Sequence, residues 1–317
     1  MSSVVVAGSF NVDHVWRCDA LPAPGATIAG RYSTGPGGKG FNQAVAARRA
    51  GADTSFVCAL GADAGGDLAR QLAQADGIAL VAEASAEPTG TAGIYVDGRG
   101  RNSIVIGAGA NASLSTDFMT ANAALISNAK VLLAQLESPV ESIEAALSVA
   151  REAGVLTMLN AAPANAPSTI SLLKLADVLT PNETEFAALL GRHVGERIEA
   201  DDVATLDGAS LHALCRKLSG STVVVTLGAV GVFVSHDEDK LRSDSQPYYR
   251  VAAESVQVVD TTGAGDAFNG ALAASLAAAP DAAFIKHVRF ANQYAARSTE
   301  HEGAALSMPR MTPADAA

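Results

Sequence analysis

The chain has 317 residues, 49% hydrophobic and 17% charged, which is enough apolar content for a sizeable core and too much for wholesale disorder. That length allows one large domain, or one domain with a smaller appendage. Lys and Arg number 22 against 33 Asp and Glu, a formal net charge of −11; such a field repels nucleic-acid phosphates but still allows one anionic ligand in a locally favourable pocket.

Cys18, Cys58 and Cys215 are odd in number, far apart and without a CxxC pair. That argues against a disulfide framework or a zinc site and fits a reducing compartment. The opening MSSVVVAGSF lacks a basic n-region and reads as a first strand, not a signal peptide. The apolar stretch Ala267–Ala279 contains Asn269 and Ser275 and stops at Pro280, too short for a bilayer. A soluble, cytoplasmic protein is expected, with neither a nucleic-acid nor a membrane partner.

In chain order, Val4–Gly8 reads as the first strand. A Gly/Pro-rich excursion over Leu21–Gly38 follows, then a helix over Gly40–Ala50 ended by Gly51. Strand Thr54–Leu60 and helix Gly66–Ala75 lead to short strands at Thr91–Val96 and Ser103–Ile106 around an Asp97-Gly98 turn, a hairpin signal. Next come strand Val131–Leu136, helix Val140–Ala153, strand Leu156–Leu159, loop Asn160–Pro167, strand Asp177–Leu179 and a helix opening at Pro181-Asn182. Glu196–Gly208 is acidic and irregular and reads as a surface loop. Strand Thr222–Leu227, a hairpin at Gly228–Gly231, strand Val232–Ser235 and a strand region Tyr248–Val259 precede two Ala-rich helices, Gly265–Ala279 and Ala282–Ser298. Strands alternating with helices predict an α/β fold with a mostly parallel, doubly wound sheet. It forms one domain over 1–317, and strands from about 10–35 and 88–107 make a small second sheet over one edge.

Asp260-Thr261-Thr262-Gly263-Ala264-Gly265-Asp266-Ala267-Phe268 carries the most chemistry. A β-rich stretch, Val256–Val259, runs into a small-residue turn that opens a helix, whose free N–H groups suit an anion or a transferring phosphoryl group. Asp266 in the first turn can accept a proton from a substrate hydroxyl beside that point; an acidic residue complementing the helix dipole is the equally weighted alternative. Gly35–Gly40 fits GxGxxG but does not follow the first strand, and no acidic residue ends the second, so a dinucleotide site is disfavoured. Lys39 and Asn42 at that helix start suit a polyhydroxylated or phosphorylated small molecule, or a lid turn with a solvated lysine. Asn11, Asp13 and Glu137 follow strand ends, where they would hydrogen-bond sugar hydroxyls or act as caps. Asn182–Glu185 suits metal-bound water or a capped first turn, and Thr226–Gly231 a phosphate cradle or an ordinary hairpin. The six histidines lack ligand spacing.

Taken together, Gly37-Gly38-Lys39-Gly40-Phe41-Asn42-Gln43-Ala44 and Asp260–Phe268 resemble the two signature regions of the ribokinase (pfkB-type) family of carbohydrate kinases. The likeness runs from Val4 to about Pro309 and is nearest to the ribokinase branch. It is carried further by Gly8–His14, Gly107–Ala112, Gln135–Pro139, Thr180–Glu185 and Phe268–Leu272. The resemblance implies a Rossmann-like domain with a β-sheet lid that often pairs two subunits into a homodimer. It also implies transfer of the ATP γ-phosphate to a sugar hydroxyl, which for ribose is the 5-hydroxyl; fructose, deoxyribose and nucleoside substrates occur on the same scaffold. By position, Asp266 would be the base and Gly263, Ala264 and Gly265 the anion hole. Asn11, Asp13, Gly38, Lys39, Asn42 and Glu137 would hold the sugar. Asn182, Thr226, Gly228, Gly231 and Asn292 would line the nucleotide site, and Glu185 would reach Mg²⁺ through water. Asp260, Thr262, Ser298, His301, Gly303 and Ser307 match a K⁺ site. Phe41 is bulkier than the residue usual at its position; if it points inward it would narrow or reshape the sugar pocket.

Overall fold

Four consecutive apolar residues, Val4–Ala7 (β1), are completely buried. Val4 and Val6 enter one core while Val5 and Ala7 enter another. This is the pattern of a parallel strand covered on both faces. The computed structural model describes residues 3–312; positions 1–2 and 313–317 of the expected domain lie outside the described residues.

After β1 come Asn11–Arg17 (β2), Arg31–Gly37 (β3), Lys39–Arg49 (α1), Thr54–Gly61 (β4), Ala64–Asp76 (α2), Ala79–Ser85 (β5), Gly90–Val96 (β6) and Asn102–Gly107 (β7). The middle of the chain holds Thr116–Ala121 (α3), Ala123–Ser127 (α4), Val131–Ala134 (β8), Val140–Glu152 (α5), Leu156–Leu159 (β9), Ile170–Leu175 (α6), Val178–Leu179 (β10) and Glu183–His193 (α7). The remainder is Ala200–Val203 (α8), Gly208–Leu218 (α9), Thr222–Thr226 (β11), Val232–Ser235 (β12), Tyr248–Val251 (β13), Ala264–Ala278 (α10) and Phe284–Ser298 (α11).

Among the described residues, nine strands form one sheet in the order β13-β12-β11-β10-β9-β8-β1-β4-β5, and four form a second in the order β3-β2-β6-β7. Pairing in the large sheet is parallel except on both sides of β12. One face packs against α1, α2, α10 and α11, the other against α3 to α7 and α9. No helix among the described residues is long and apolar enough to cross a membrane.

Several elements differ from the sequence expectation. The strand region expected over Tyr248–Val259 stops at Val251, because its partner β12 spans only Val232–Ser235. Val258 and Val259 are instead 59% and 57% exposed in an irregular segment, so no strand feeds the turn before α10. Glu196–Gly208 is not all loop: it contains α8, whose Val203 is buried in the second core. β5 was not expected; it is an alanine-rich edge strand paired only with β4, and alanine is a weak strand former. α3, α4, α6 and α9 were not expected either.

α10 is buried on nearly every side, which explains its alanine content, and it crosses α1 closely at Gly270. A methyl group there would lie 2.5 Å from both the Ala46 Cβ and the Gln43 carbonyl oxygen. In an exposed helix Gly→Ala stabilises by roughly 0.5–1 kcal/mol. Here the clash reverses the sign: Gly270→Ala is expected to cost about 1–3 kcal/mol through overpacking. Chemical denaturation measures this, and an unchanged or higher stability would refute the close contact.

Candidate active site

The large sheet changes winding direction at β1. Its first crossover leads to β4 on one side, and β8 and the later strands add on the other. Beyond the carboxyl ends of β1 and β8 this arrangement leaves a crevice. Glu137, just past β8, accepts hydrogen bonds at Oε2 from the Ser9 hydroxyl at 2.6 Å and the Lys39 backbone N–H at 3.0 Å. Asn11, 3% exposed, accepts at Oδ1 from Asn111 Nδ2 at 2.8 Å. Asp13 has no hydrogen-bond partner among the described residues; burial, then the neighbouring Glu137 and Asp266 charges, push its carboxyl up to about 7.

Gly38, with φ 86°, begins α1. A Cβ there would lie 2.8 Å from the Asn11 backbone nitrogen, so only glycine lets the helix start against the chain leaving β1. The first turn of α1 then meets the first turn of α10. Asn42 Nδ2 donates to Asp266 Oδ2 and Gln43 Nε2 to Asp266 Oδ1, each at 2.9 Å. Burial pushes the Asp266 carboxyl up, while Lys39 and these two amides pull it back. Lys39 is held above the usual lysine value: burial opposes its charge, but Asp266, Glu137 and Glu185 outweigh it.

A cavity of about 160 Å³ lies at the start of α10, walled by Gly263, Ala264, Gly265 and Asp266 together with Lys39, Asn182, Glu185 and Thr226. Asn182 and Glu185 do form a capping box on α7: Asn182 Oδ1 accepts from the Glu185 N–H at 2.8 Å, and Glu185 Oε2 accepts from the Asn182 N–H at 2.9 Å. The capping alternative therefore holds, yet both residues also face the cavity. Burial raises the Glu185 carboxyl. Gly228, Gly231 and Asn292 lie outside the cavity wall; Asn292 instead donates to the Ala252 carbonyl at 2.7 Å, bracing the irregular segment after β13. Gly228 and Gly231, with φ 50° and 110°, close a tight 3₁₀ turn between β11 and β12.

Asp260 and Thr262 meet Gly303 behind this wall. Asp260 Oδ1 accepts from the Thr262 N–H at 2.9 Å and hydroxyl at 2.6 Å, and Oδ2 from the Gly303 N–H at 3.0 Å. Although partial burial opposes it, these bonds hold the Asp260 carboxyl below its usual range. Ser307 joins the group by donating to the Gly303 carbonyl at 2.7 Å. Ser298 turns its hydroxyl back to the Ala295 carbonyl, and His301 sits exposed on the turn after α11. Gly263, at φ 76°, packs on this loop; a Cβ there would fall 2.8 Å from that of Ala304.

Phe41 does not narrow the pocket. It is 1% exposed and packs edge-on to Phe10 at 5.1 Å and against Phe56 at 5.8 Å between ring centres, so its added bulk fills core. The sequence reading missed Gln43, Gln135, Asn160, Thr180 and Asn269. Asn160, Thr180 and Asn269 wall the cavity, and Gln43 links Asp266 to Gln135. The available signal was an amide inside an apolar run, as in Leu132–Leu136 and Ala267–Leu272, where burying one without a partner is costly.

The pfkB family carbohydrate kinase pattern matches residues 1–311. The ribokinase of Haemophilus influenzae is 38% identical over 310 residues, covering 97% of this chain and 95% of its own. A ribokinase structure from Giardia lamblia superposes with a TM-score of 0.85 at 30% identity, covering 97% of this chain and 96% of its own. That of the Arabidopsis thaliana ribokinase complexed with ribose and ATP gives 0.83 at 30% identity, covering 99% and 97%. With the family pattern spanning the chain and the two helix starts converging on Asp266, the chain belongs to the pfkB family of carbohydrate kinases.

Proposed function

We propose that this chain is an ATP-dependent ribose kinase acting on the 5-hydroxyl of D-ribose. The observation that carries the reading is Asp266, buried at the start of α10 on the wall of a cavity and bonded to Asn42 and Gln43. In this reading Asn11, Asp13, Gly38, Lys39, Asn42 and Glu137 hold the sugar. Asp266 takes the hydroxyl proton while that oxygen bonds to the γ-phosphorus and the bond to the β-phosphate oxygen breaks, releasing ADP. The helix start at Gly263–Gly265 and the Lys39 cation stabilise the charge on the transferring group. Asn182 and Thr226 face the nucleotide, with Gly228, Gly231 and Asn292 supporting it from outside the wall.

The residues fit the ions the family implies. Glu185 commits only Oε2 to its cap, which leaves Oε1 for a metal-bound water; Mg²⁺ would neutralise phosphate charge there. Asp260, held below its usual range, together with Thr262, Gly303 and Ser307 and the backbone carbonyl of Ser298, would offer K⁺ mainly oxygen donors. His301 would contribute through its backbone. Because Gly263 packs on the same loop, a cation there would brace the anion hole without entering the chemistry. Three free cysteines support a cytoplasmic location.

ADP release from Mg-ATP, measured with ribose, 2-deoxyribose, fructose, adenosine and cytidine with and without K⁺, tests the reading. Ribose should dominate and K⁺ should raise its rate. Asp266→Asn should lower kcat by roughly 10³-fold or more while ADP still binds; near-normal turnover would remove Asp266 from the chemistry.

Asp13 supplies a pH test. An ionised Asp13 accepts sugar hydroxyls with no competing partner, and its carboxyl lies at about 7 without sugar. Its charge is lost as pH falls through that value, so KM for ribose should rise from pH 8 to pH 6. Asp13→Asn should raise KM at pH 8 by about tenfold or more, as for loss of a charged hydrogen bond, and should flatten the pH dependence. A KM independent of pH in the parent enzyme would contradict this role.

The small sheet acts as the lid in this reading and pairs two copies of the chain. All of β7 is exposed, with Ile104 and Ile106 at 50% and 51%. Ile104 lies directly opposite Ile94, so these side chains share one apolar face. Ile104→Glu combined with Ile106→Glu should convert a dimer to a monomer in sedimentation. An unchanged dimer would move the interface elsewhere, and a monomeric parent would remove it.

A further inference from the structure

Gln43 is fully buried, and every hydrogen of its amide is committed. Nε2 donates to Asp266 Oδ1 at 2.9 Å and to Asn160 Oδ1 at 3.0 Å. Oε1 accepts from Nε2 of Gln135, also fully buried, at 2.6 Å. Groups that can only accept fix the direction of this chain. The Asp266 carboxylate demands a donor from Gln43. The Thr180 carbonyl takes Asn160 Nδ2 at 2.8 Å, which turns Asn160 Oδ1 toward Gln43. Gln43 must then offer its oxygen to Gln135.

The other side of Asp266 is held differently. Oδ2 takes one bond from Asn42, whose own Oδ1 is buried without a partner. Asn42 therefore keeps an unused acceptor for an entering hydroxyl, whereas both amide atoms of Gln43 are already bonded.

We propose that Gln43, fixed by Gln135 and Asn160, is a positioning residue that clamps Asp266 by Oδ1 and so makes Oδ2 the oxygen that takes the substrate proton. The proton passes from the sugar hydroxyl to Oδ2 as the new O–P bond forms and ADP departs. This rests on Asp266 being the base. The charged groups facing Asp266 are Lys39 at the start of α1, Asp13 on β2, Glu137 past β8 and Glu185 on α7. None is altered by changing the amides.

Gln43→Met keeps length and removes both donors. With one of the two amide donors to its charged form lost and only Asn42 left, Asp266 should titrate higher. The acid limb of kcat should therefore move up by about one pH unit, with kcat down about 10- to 100-fold at its optimum. KM for ribose and ATP should stay within about threefold, since neither Gln43 nor Gln135 lines the cavity. Gln135→Met should shift the limb in the same direction but less. Because Gln135 acts only through Gln43, the double variant should match Gln43→Met alone.

Circular dichroism and ADP binding identify folded variants. If Gln43→Met does not fold, the limb of Gln135→Met decides: a shift supports the clamp and an unmoved limb overturns it. Additive losses, or a folded Gln43→Met with an unmoved limb, also overturn it. Asp266→Asn separates the two readings. An active Asp266→Asn overturns the base and the clamp together, whereas an inactive one beside an unmoved Gln43→Met limb overturns the clamp alone.

Discussion

The site depends on two helix starts meeting without a side chain between the helices behind them. Gly270 leaves α10 free to lie on the Gln43 carbonyl and the backbone of Ala47. One turn earlier, Asp266 consequently faces Asn42 and Gln43, residues more than 220 positions away in the chain. Gly38 and Gly40 allow the same closeness on the other side, setting the start of α1 against residues 8–11. Glycine is costly inside a helix, and α10 accepts that cost where the geometry of the carboxylate is decided.

That convergence also concentrates charge. Asp13, Glu137, Glu185 and Asp266 surround one lysine, and burial raises Asp13, Glu185 and Asp266. Such a cluster costs stability when empty, because Asp13 loses water without gaining a donor and the neighbouring carboxylates repel it. In the proposed reading a polyol would offset that cost, its hydroxyls donating to Asp13 and Glu137 and taking nothing away from Lys39. The same charge balance explains how a chain of net charge −11 can hold a triphosphate. The relevant field is local, set by Lys39 and the amides at the start of α10, and bulk charge is screened over about 8–10 Å at ordinary ionic strength.

The legibility of the sequence followed how local each determinant was. β1, β4, β8, α1 and α10 are dominated by apolar or small residues, and their boundaries were readable to within a few residues. α9 was missed although Leu211, Cys215 and Leu218 carry a helical stripe, because it follows directly on the acidic, irregular-looking stretch that ends at Gly208. β5 depends on hydrogen bonding to β4, a contact no local propensity reveals. The end of β13 is set by the length of β12. The direction of Phe41 stayed open because a helix start can face either ligand or core, and only the positions of Phe10 and Phe56 decide which. Asp266 was legible from the turn beside it. Gln43 was visible in the same motif as Asn42, but its partner Gln135 lies 92 residues on, so its role exists only in three dimensions.

The small sheet is not an appendage joined by a linker. β2 begins at Asn11 inside the crevice and runs outward to Arg17, and β3 returns to Gly37 beside it. Gly38 then starts α1 with its Cα packed against Asn11. Both strands that leave the site therefore pivot at residues that touch it. Asn11 and Asp13, two positions apart on β2, project to the same face of that sheet. In the proposed reading, sugar held by these residues would be held by the sheet itself, next to the close approach of Gly38 to Asn11. Water exclusion, which phosphoryl transfer requires to favour the sugar over hydrolysis, would in that reading be coupled to occupancy through these two backbone positions. A rigid pivot suits that task better than a flexible one, which gives Pro36, paired opposite Val12 on the edge strand, a physical use: it stiffens β3 just before the pivot without removing a hydrogen bond from the sheet interior.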